Sequence, residues 1–129
     1  MVRILLSVHN SLLAEAISGM LCESGEFEPF RVSVGNRKID IAEECTMLEA
    51  QMVLMEVSYA GGTTVETRTK EARQIRGRHP DCKIVLLCDE NSAPNIAREV
   101  MLAKKDGLID GFFYSSVTAR YLLAALLAL

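Results

Sequence analysis

Three residues of catalytic or metal-binding type stand at the ends of short apolar runs: His9 after Arg3 to Val8, Glu56 within Met52 to Val57, and Cys88 closing Lys83 to Cys88. Cysteine, histidine and a carboxylate form a nucleophilic arrangement and also a soft-metal donor set. Their spacing carries no local motif, however, and a cysteine at the end of an apolar strand usually serves as a small buried hydrophobe. Gly61-Gly62-Thr63-Thr64 leads into a helical pattern and offers backbone N–H groups to an anion. It lacks the lysine of a phosphate-binding loop, and no glycine-rich fingerprint follows the first apolar run, so nucleotide hydrolysis and dinucleotide redox chemistry are disfavoured. A flexible loop is the plainer reading. His79, in Arg78-His79-Pro80, reads as a solvated residue at a helix exit, where the helix dipole favours positive charge.

The elements that must position these residues are readable from periodicity. Strand-like runs recur at Arg3 to Val8, Phe30 to Val34, Met52 to Val57, Lys83 to Cys88 and Gly111 to Tyr114, rich in Val, Ile and Leu as suits strands covered on both faces. Between them Leu13, Ala16, Ile17, Met20 and Leu21 follow helical spacing after a cap at Asn10 or Ser11. A second helix is expected over Ile39 to Glu49, with Ile41, Ala42, Cys45 and Leu48 as its stripe. A third covers Thr64 to Arg78 and is mostly polar, anchored by Val65, Ala72 and Ile75. The fourth starts at Pro94 and carries Ile96, Ala97, Val100 and Met101 inward, and the fifth begins after Thr118. Five strands alternating with five helices predict right-handed βαβ units on a doubly wound five-stranded parallel sheet, a three-layer α/β/α domain. Ligands of such sheets bind beyond the carboxyl ends of the strands, where strand order reverses. The strand exits are Val8, His9, Asn10, Glu56, Cys88 and Ser115.

Composition narrows the classes. The 129 residues are enough for one domain, with 14 Lys+Arg against 17 Asp+Glu, a net charge of -3, three Tyr, four Phe and no Trp. No basic run and few stacking platforms argue against a nucleic-acid surface. Four separated cysteines in a chain able to bury a core read as buried thiols and not as a disulfide framework. The N-terminus lacks the apolar stretch and cleavage site of a signal peptide, and Tyr121 to Leu129 is less than half of the ~20 residues a membrane span needs. These features place the protein in the cytoplasm, with no membrane contact. An apolar C-terminus is also what the cut edge of a longer polypeptide shows.

Several stretches together resemble one family. Arg3-Ile4-Leu5-Leu6-Ser7 with Asn10-Ser11-Leu12, then Met52 to Gly61, Arg73 to Asp81 with Ile84-Val85-Leu86-Leu87, and Asp110-Gly111-Phe112-Phe113 follow, over essentially the whole chain, the order and spacing of the receiver domains of bacterial two-component response regulators. The resemblance implies the flavodoxin-like (CheY-like) fold and a signalling module rather than an enzyme, with no cofactor. It also implies a degenerate member. The family's acidic pair after the first strand, which holds Mg²⁺, is matched by Val8 and His9. Its acceptor aspartate is matched by Glu56, its Thr or Ser by Cys88, and its lysine by Ser115. The switch aromatic of the fifth strand is matched by Phe112, which otherwise simply packs under the fourth helix.

Phosphoryl transfer to a carboxylate needs a divalent cation and a cationic partner for the product. With one carboxylate and no lysine there are too few hard oxygen ligands for Mg²⁺, so phosphorylation of Glu56 is disfavoured. Glu56 then either carries its charge toward the place of a phosphoryl group, or is a partly buried acid hydrogen-bonded to His9 or Ser115. The last helix adds a surface feature. Leu122, Ala125, Leu126 and Leu129 form an inward stripe, yet Tyr121, Ala124, Leu127 and Ala128 continue the apolar character around it. Active receivers dimerise through the fourth helix, fifth strand and fifth helix. A homodimer or docked domain is therefore expected through Tyr121, Leu123 and Leu127, with Met101 or Lys104. Degenerate receivers also precede DNA-binding effector domains and ParA/MinD-like ATPases. The expected function is a phosphorylation-independent interaction and dimerisation module. The rival is a small-molecule or metal-binding regulatory domain using His9, Glu56 and Cys88.

Overall fold

The structure, a computed structural model, describes residues 1–32, 40–57, 64–88 and 94–129, with only the backbone of 94–97. Strands and helices alternate strictly: β1 (Val2–Ser7), α1 (Ser11–Ser24), β2 (Phe27–Arg31), α2 (Ile41–Leu48), β3 (Met52–Val57), α3 (Val65–Arg78), β4 (Lys83–Cys88), α4 (Pro94–Lys105), β5 (Gly111–Tyr114) and α5 (Ala119–Leu127). All strand pairs are parallel and the order is β2-β1-β3-β4-β5. Strand order therefore reverses between β1 and β3, which pair with Ser7 opposite Met55. The doubly wound α/β/α reading holds.

Alternation along the strands separates two cores. Ile4, Leu6, Leu54 and Leu87 meet Ile17 and Leu21 of α1 and Leu122 and Leu126 of α5. Leu5, Val53, Met55, Ile84 and Leu86 meet α2, α3 and α4 on the other face. Because β1, β3 and β4 are buried on both sides they are apolar at nearly every position, which made them legible as runs.

Four expectations need correction. The second strand is Phe27–Arg31, not Phe30 to Val34; Val34 lies outside the described residues. It contains Pro29, which an edge strand tolerates where its missing N–H faces outward. The second helix is Ile41–Leu48, because the Asp40 side chain accepts from the Glu43 N–H and caps it, and Glu49 leaves it in the left-handed conformation at φ 53°. Met101 of α4 is exposed, while Val100 and Ala103 turn inward; Ile96 and Ala97 lie outside the described side chains. The cysteines also divide: Cys45, Cys82 and Cys88 are buried, but Cys22 is exposed.

Asn10 caps α1 as expected, its Oδ1 accepting from the Leu13 N–H at 3.1 Å. Asn10→Ala leaves that first-turn donor without its side-chain partner and is expected to cost about 1 kcal/mol. A lower urea midpoint at unchanged slope would register it.

Candidate functional site at the carboxyl end of the sheet

The crevice at a reversal of strand order is the general ligand position of such sheets. Here it lies beyond Ser7 of β1 and Glu56 of β3, and a side chain of the protein itself occupies it. Arg68, in the first turns of α3, is 2% exposed although it carries a full charge. Its Nε donates to the Glu56 carbonyl at 2.8 Å, one terminal nitrogen to the Ser7 carbonyl at 3.1 Å, and the other to Glu71 Oε1 at 3.2 Å. Each of the three guanidinium nitrogens thus has an acceptor, one from each of β1, β3 and α3.

Burial pulls the Arg68 guanidinium below its ordinary pKa, opposed by Glu71 and Glu56. Burial likewise raises the Glu71 carboxyl, opposed by Arg68. Each partner loses more to desolvation than the other returns, the usual balance for an ion pair taken out of water. A second guanidinium approaches from the edge. Arg31 of β2 donates to the Val8 carbonyl at 3.4 Å and to Ser11 Oγ at 3.2 Å. Two successive carbonyls at the exit of β1 are therefore held by arginines.

The residues singled out from the sequence lie around this crevice without converging into one site. Val8 is buried and apolar at 4% exposure, and His9 is exposed. Glu56 is half-buried; no hydrogen bond joins its carboxylate to His9 or Ser115, so that expectation is not met, and its backbone oxygen serves Arg68 instead. Cys88 is fully enclosed, and burial pushes its thiol up to about 11, the opposite of activation. Ser115 is exposed and its N–H donates to the Cys88 carbonyl at 2.7 Å. Among the described residues no three of His, Cys, Asp or Glu are gathered to hold a metal. The Gly61-Gly62-Thr63 candidate lies outside the described residues, and Thr64 caps α3. His79 is not simply solvated: its Nε2 shares a 2.7 Å hydrogen bond with Thr46 Oγ1.

Arg68 escaped the sequence reading, although a signal was present. Val65, Ala72 and Ile75 mark the inner stripe of α3, and position 68 falls on that stripe with an acid three residues on.

Two cavities open nearby. One of about 410 Å³ lies between α3 and α4, around Thr69, Arg73 and Leu102. The other, about 190 Å³, lies between α1 and α5 and is mostly apolar, with Ser115 at its edge. Neither is lined by His9, Glu56 or Cys88.

On the α4, β5 and α5 side, Lys104 Nζ stands 5.9 Å from the centroid of the Phe112 ring, which is half-buried and meets Tyr114 edge-on. Tyr121 meets Phe113 in the same manner and is 59% exposed; Leu127 of α5 is 50% exposed and Met101 of α4 57%. Leu123 is half-buried against the α1/α5 core, so it belongs only in part to the exposed set. Leu129 is exposed at 39%, not a buried member of the stripe, although it reaches Gly111. Among the described residues no helix is long and apolar enough to cross a membrane.

No family model matches the sequence, and no curated protein matches it. Solved structures do. A LuxR-family DNA-binding response regulator from Staphylococcus aureus is similar with a TM-score of 0.73 at 13% identity, covering 98% of this chain and 96% of that one. The chemotaxis protein CheY4 of Vibrio cholerae gives 0.71 at 15%, covering 99% and 98%. A CheY-like protein (tadZ) from Pseudomonas aeruginosa gives 0.68 at 9%, covering 97% and 90%. The fold is that of the CheY-like receiver domains. At these identities the likeness is one of architecture.

The family that the sequence resembles holds Mg²⁺ with an acidic pair after its first strand, at a place that corresponds here to the exit of β1. The residues present do not fit that ion. Val8 offers no oxygen from its side chain, the Ser7 and Val8 carbonyls are engaged by arginines, and a fixed positive charge stands in the crevice. A second cation there would meet repulsion in a poorly screened place.

Proposed function

We propose that this chain is a cytoplasmic signalling module of receiver fold that works by protein contact without phosphotransfer, with α4, β5 and α5 as its contact face and a second copy as its partner. The observation that carries the reading is the occupied crevice: Arg68 fills the place where acceptor chemistry would need a metal, and Glu56 is the one carboxylate at the end of β3. Neither catalysis nor a cofactor enters the reading. The exposed Met101, Tyr121 and Leu127 supply apolar area, and Lys104 over Phe112 supplies a charged rim. A fused effector or ATPase domain would use the same face, and the similar structures include a DNA-binding response regulator and a CheY-like protein (tadZ).

The test is an amide NMR titration with Mg²⁺, then Mg²⁺ plus beryllofluoride, on protein whose mass is followed by light scattering. No saturable shift around Glu56 and Cys88 is expected, with a dimer that Tyr121→Lys with Leu127→Lys converts to monomer. Saturating shifts at the crevice would overturn phosphorylation-independence. A wild-type monomer at high concentration would overturn self-association.

A further inference from the structure

We infer that the switch-point crevice is a guanidinium-binding site which the chain fills with its own Arg68, so that emptying it creates a site for a free guanidinium ion. The inference rests on the phosphorylation-independent reading and explains how the crevice is kept closed.

The acceptors are arranged for a fork. Ser7 O, Glu56 O and Glu71 Oε1 come from three different elements and each receives a different nitrogen, at 3.1, 2.8 and 3.2 Å. A compact ammonium could not span that set in the same way, because the guanidinium's donors are planar and fixed relative to one another. Nor is the side chain there for its aliphatic stem. Arginines recruited for packing keep the head in water, whereas here the whole residue is 2% exposed and each nitrogen of the head has an acceptor. A simple helix-surface pair would require Glu71 alone. The two strand carbonyls are the additional part, and they belong to the two strands between which ligands of this architecture bind.

The geometry also accounts for the charge. Glu71 supplies one negative charge at 19% exposure, and the dipoles of two carbonyls point at the same cation. Removing Arg68 leaves a carboxylate and two oxygens facing a vacated space of the shape of the lost head group. Small planar cations of the guanidinium class complement that space, whereas a spherical alkali ion or a neutral denaturant does not.

The experiment is a thermal melt of Arg68→Ala in methylguanidinium chloride, against potassium chloride at equal ionic strength and against urea, with wild type in parallel. Methylguanidinium is expected to raise the midpoint of Arg68→Ala by a few degrees and to saturate, while that of wild type only falls. Amide shifts in the variant should map to Ser7, Val8, Glu56 and Val57. A midpoint of Arg68→Ala that falls in parallel with wild type would overturn the inference, as would equal stabilisation by potassium. Arg68→Ala with Glu71→Gln removes the unpaired carboxylate and keeps all three oxygens, so it carries the same test should the single variant not fold. A weaker but saturable rise is expected there, and a flat or falling response overturns the inference. Beryllofluoride shifts in wild type would overturn only the parent reading, whereas absence of methylguanidinium rescue would overturn only this one.

Discussion

Arg68→Met is expected to lower the free energy of unfolding by about 3–5 kcal/mol, the range for removing one partner of a buried ion pair. Methionine fills much of the stem's volume, so the loss isolates the head group. It leaves the Glu71 carboxylate and the Ser7 and Glu56 carbonyls without their donor. Against a domain stability of about 5–15 kcal/mol, this is the largest single effect anticipated outside the apolar core. Arg68→Met with Glu71→Gln should recover part of the loss, because a neutral amide is cheaper to leave partly buried than a carboxylate. Urea denaturation of the four proteins in the cycle measures this directly. If Arg68→Met costs under about 1 kcal/mol, the cation is not structurally engaged as described.

The pH dependence has a definite sign. Glu71 has its carboxyl raised by burial in the native state, so the native protein holds that proton more tightly than the unfolded chain. From this group alone, stability declines as pH rises from about 4.3, the unfolded value, through the raised native value. Glu71→Gln should remove that component of the slope, in denaturation midpoints compared between pH 4 and pH 7.

The second large effect concerns thiol chemistry. At neutral pH one of the four cysteines, Cys22, is expected to react quickly with a disulfide or maleimide reagent, and the other three only through opening of the fold. For Cys88, a thiol at about 11 has a thiolate fraction roughly 300-fold below that of an ordinary cysteine near 8.5, before its 1% exposure is considered. The combined retardation should exceed a hundredfold, and Cys22→Ser should abolish the fast phase. Fast alkylation of Cys88 would restore the nucleophile or soft-metal reading of His9, Glu56 and Cys88. Urea should release the slow thiols in step with unfolding, since Cys45, Cys82 and Cys88 all lie in one core.

The two-sided strands were legible because their runs are apolar at nearly every position: β3 and β4 fall on the expected residues, as does β5, and β1 runs one residue earlier than Arg3 to Val8. The edge strand was harder. Phe27-Glu28-Pro29-Phe30-Arg31 mixes charge and proline with two aromatics, since one of its margins faces water and needs no continuous apolar sequence. At the carboxyl end, the alternation of apolar and helical runs located the strand exits. What it could not give was the occupant of the crevice. A cation delivered from α3 to the ends of β1 and β3 depends on tertiary proximity across 61 residues, and its only local trace is an arginine on an otherwise apolar helical stripe. The same applies to Arg31, which reaches Ser11 from a neighbouring strand. Met101 illustrates the reverse error: helical spacing admitted it to the stripe, but Ala103 takes the inward place.

Pro29 also shapes the open margin of the sheet. The Val32 N–H points inward to Leu6 O, so by alternation the backbone nitrogens of Phe30 and Glu28 also face β1, and that of Pro29 faces the open margin of the sheet. The outer margin of β2 thus lacks a donor at its midpoint and carries Glu28 and Arg31 beside it. A foreign strand laid along it could not complete a regular ladder, which protects the protein from templated aggregation. Growth by strand addition is thereby opposed at the β2 margin, which leaves β5, beside α4, as the other edge of the sheet.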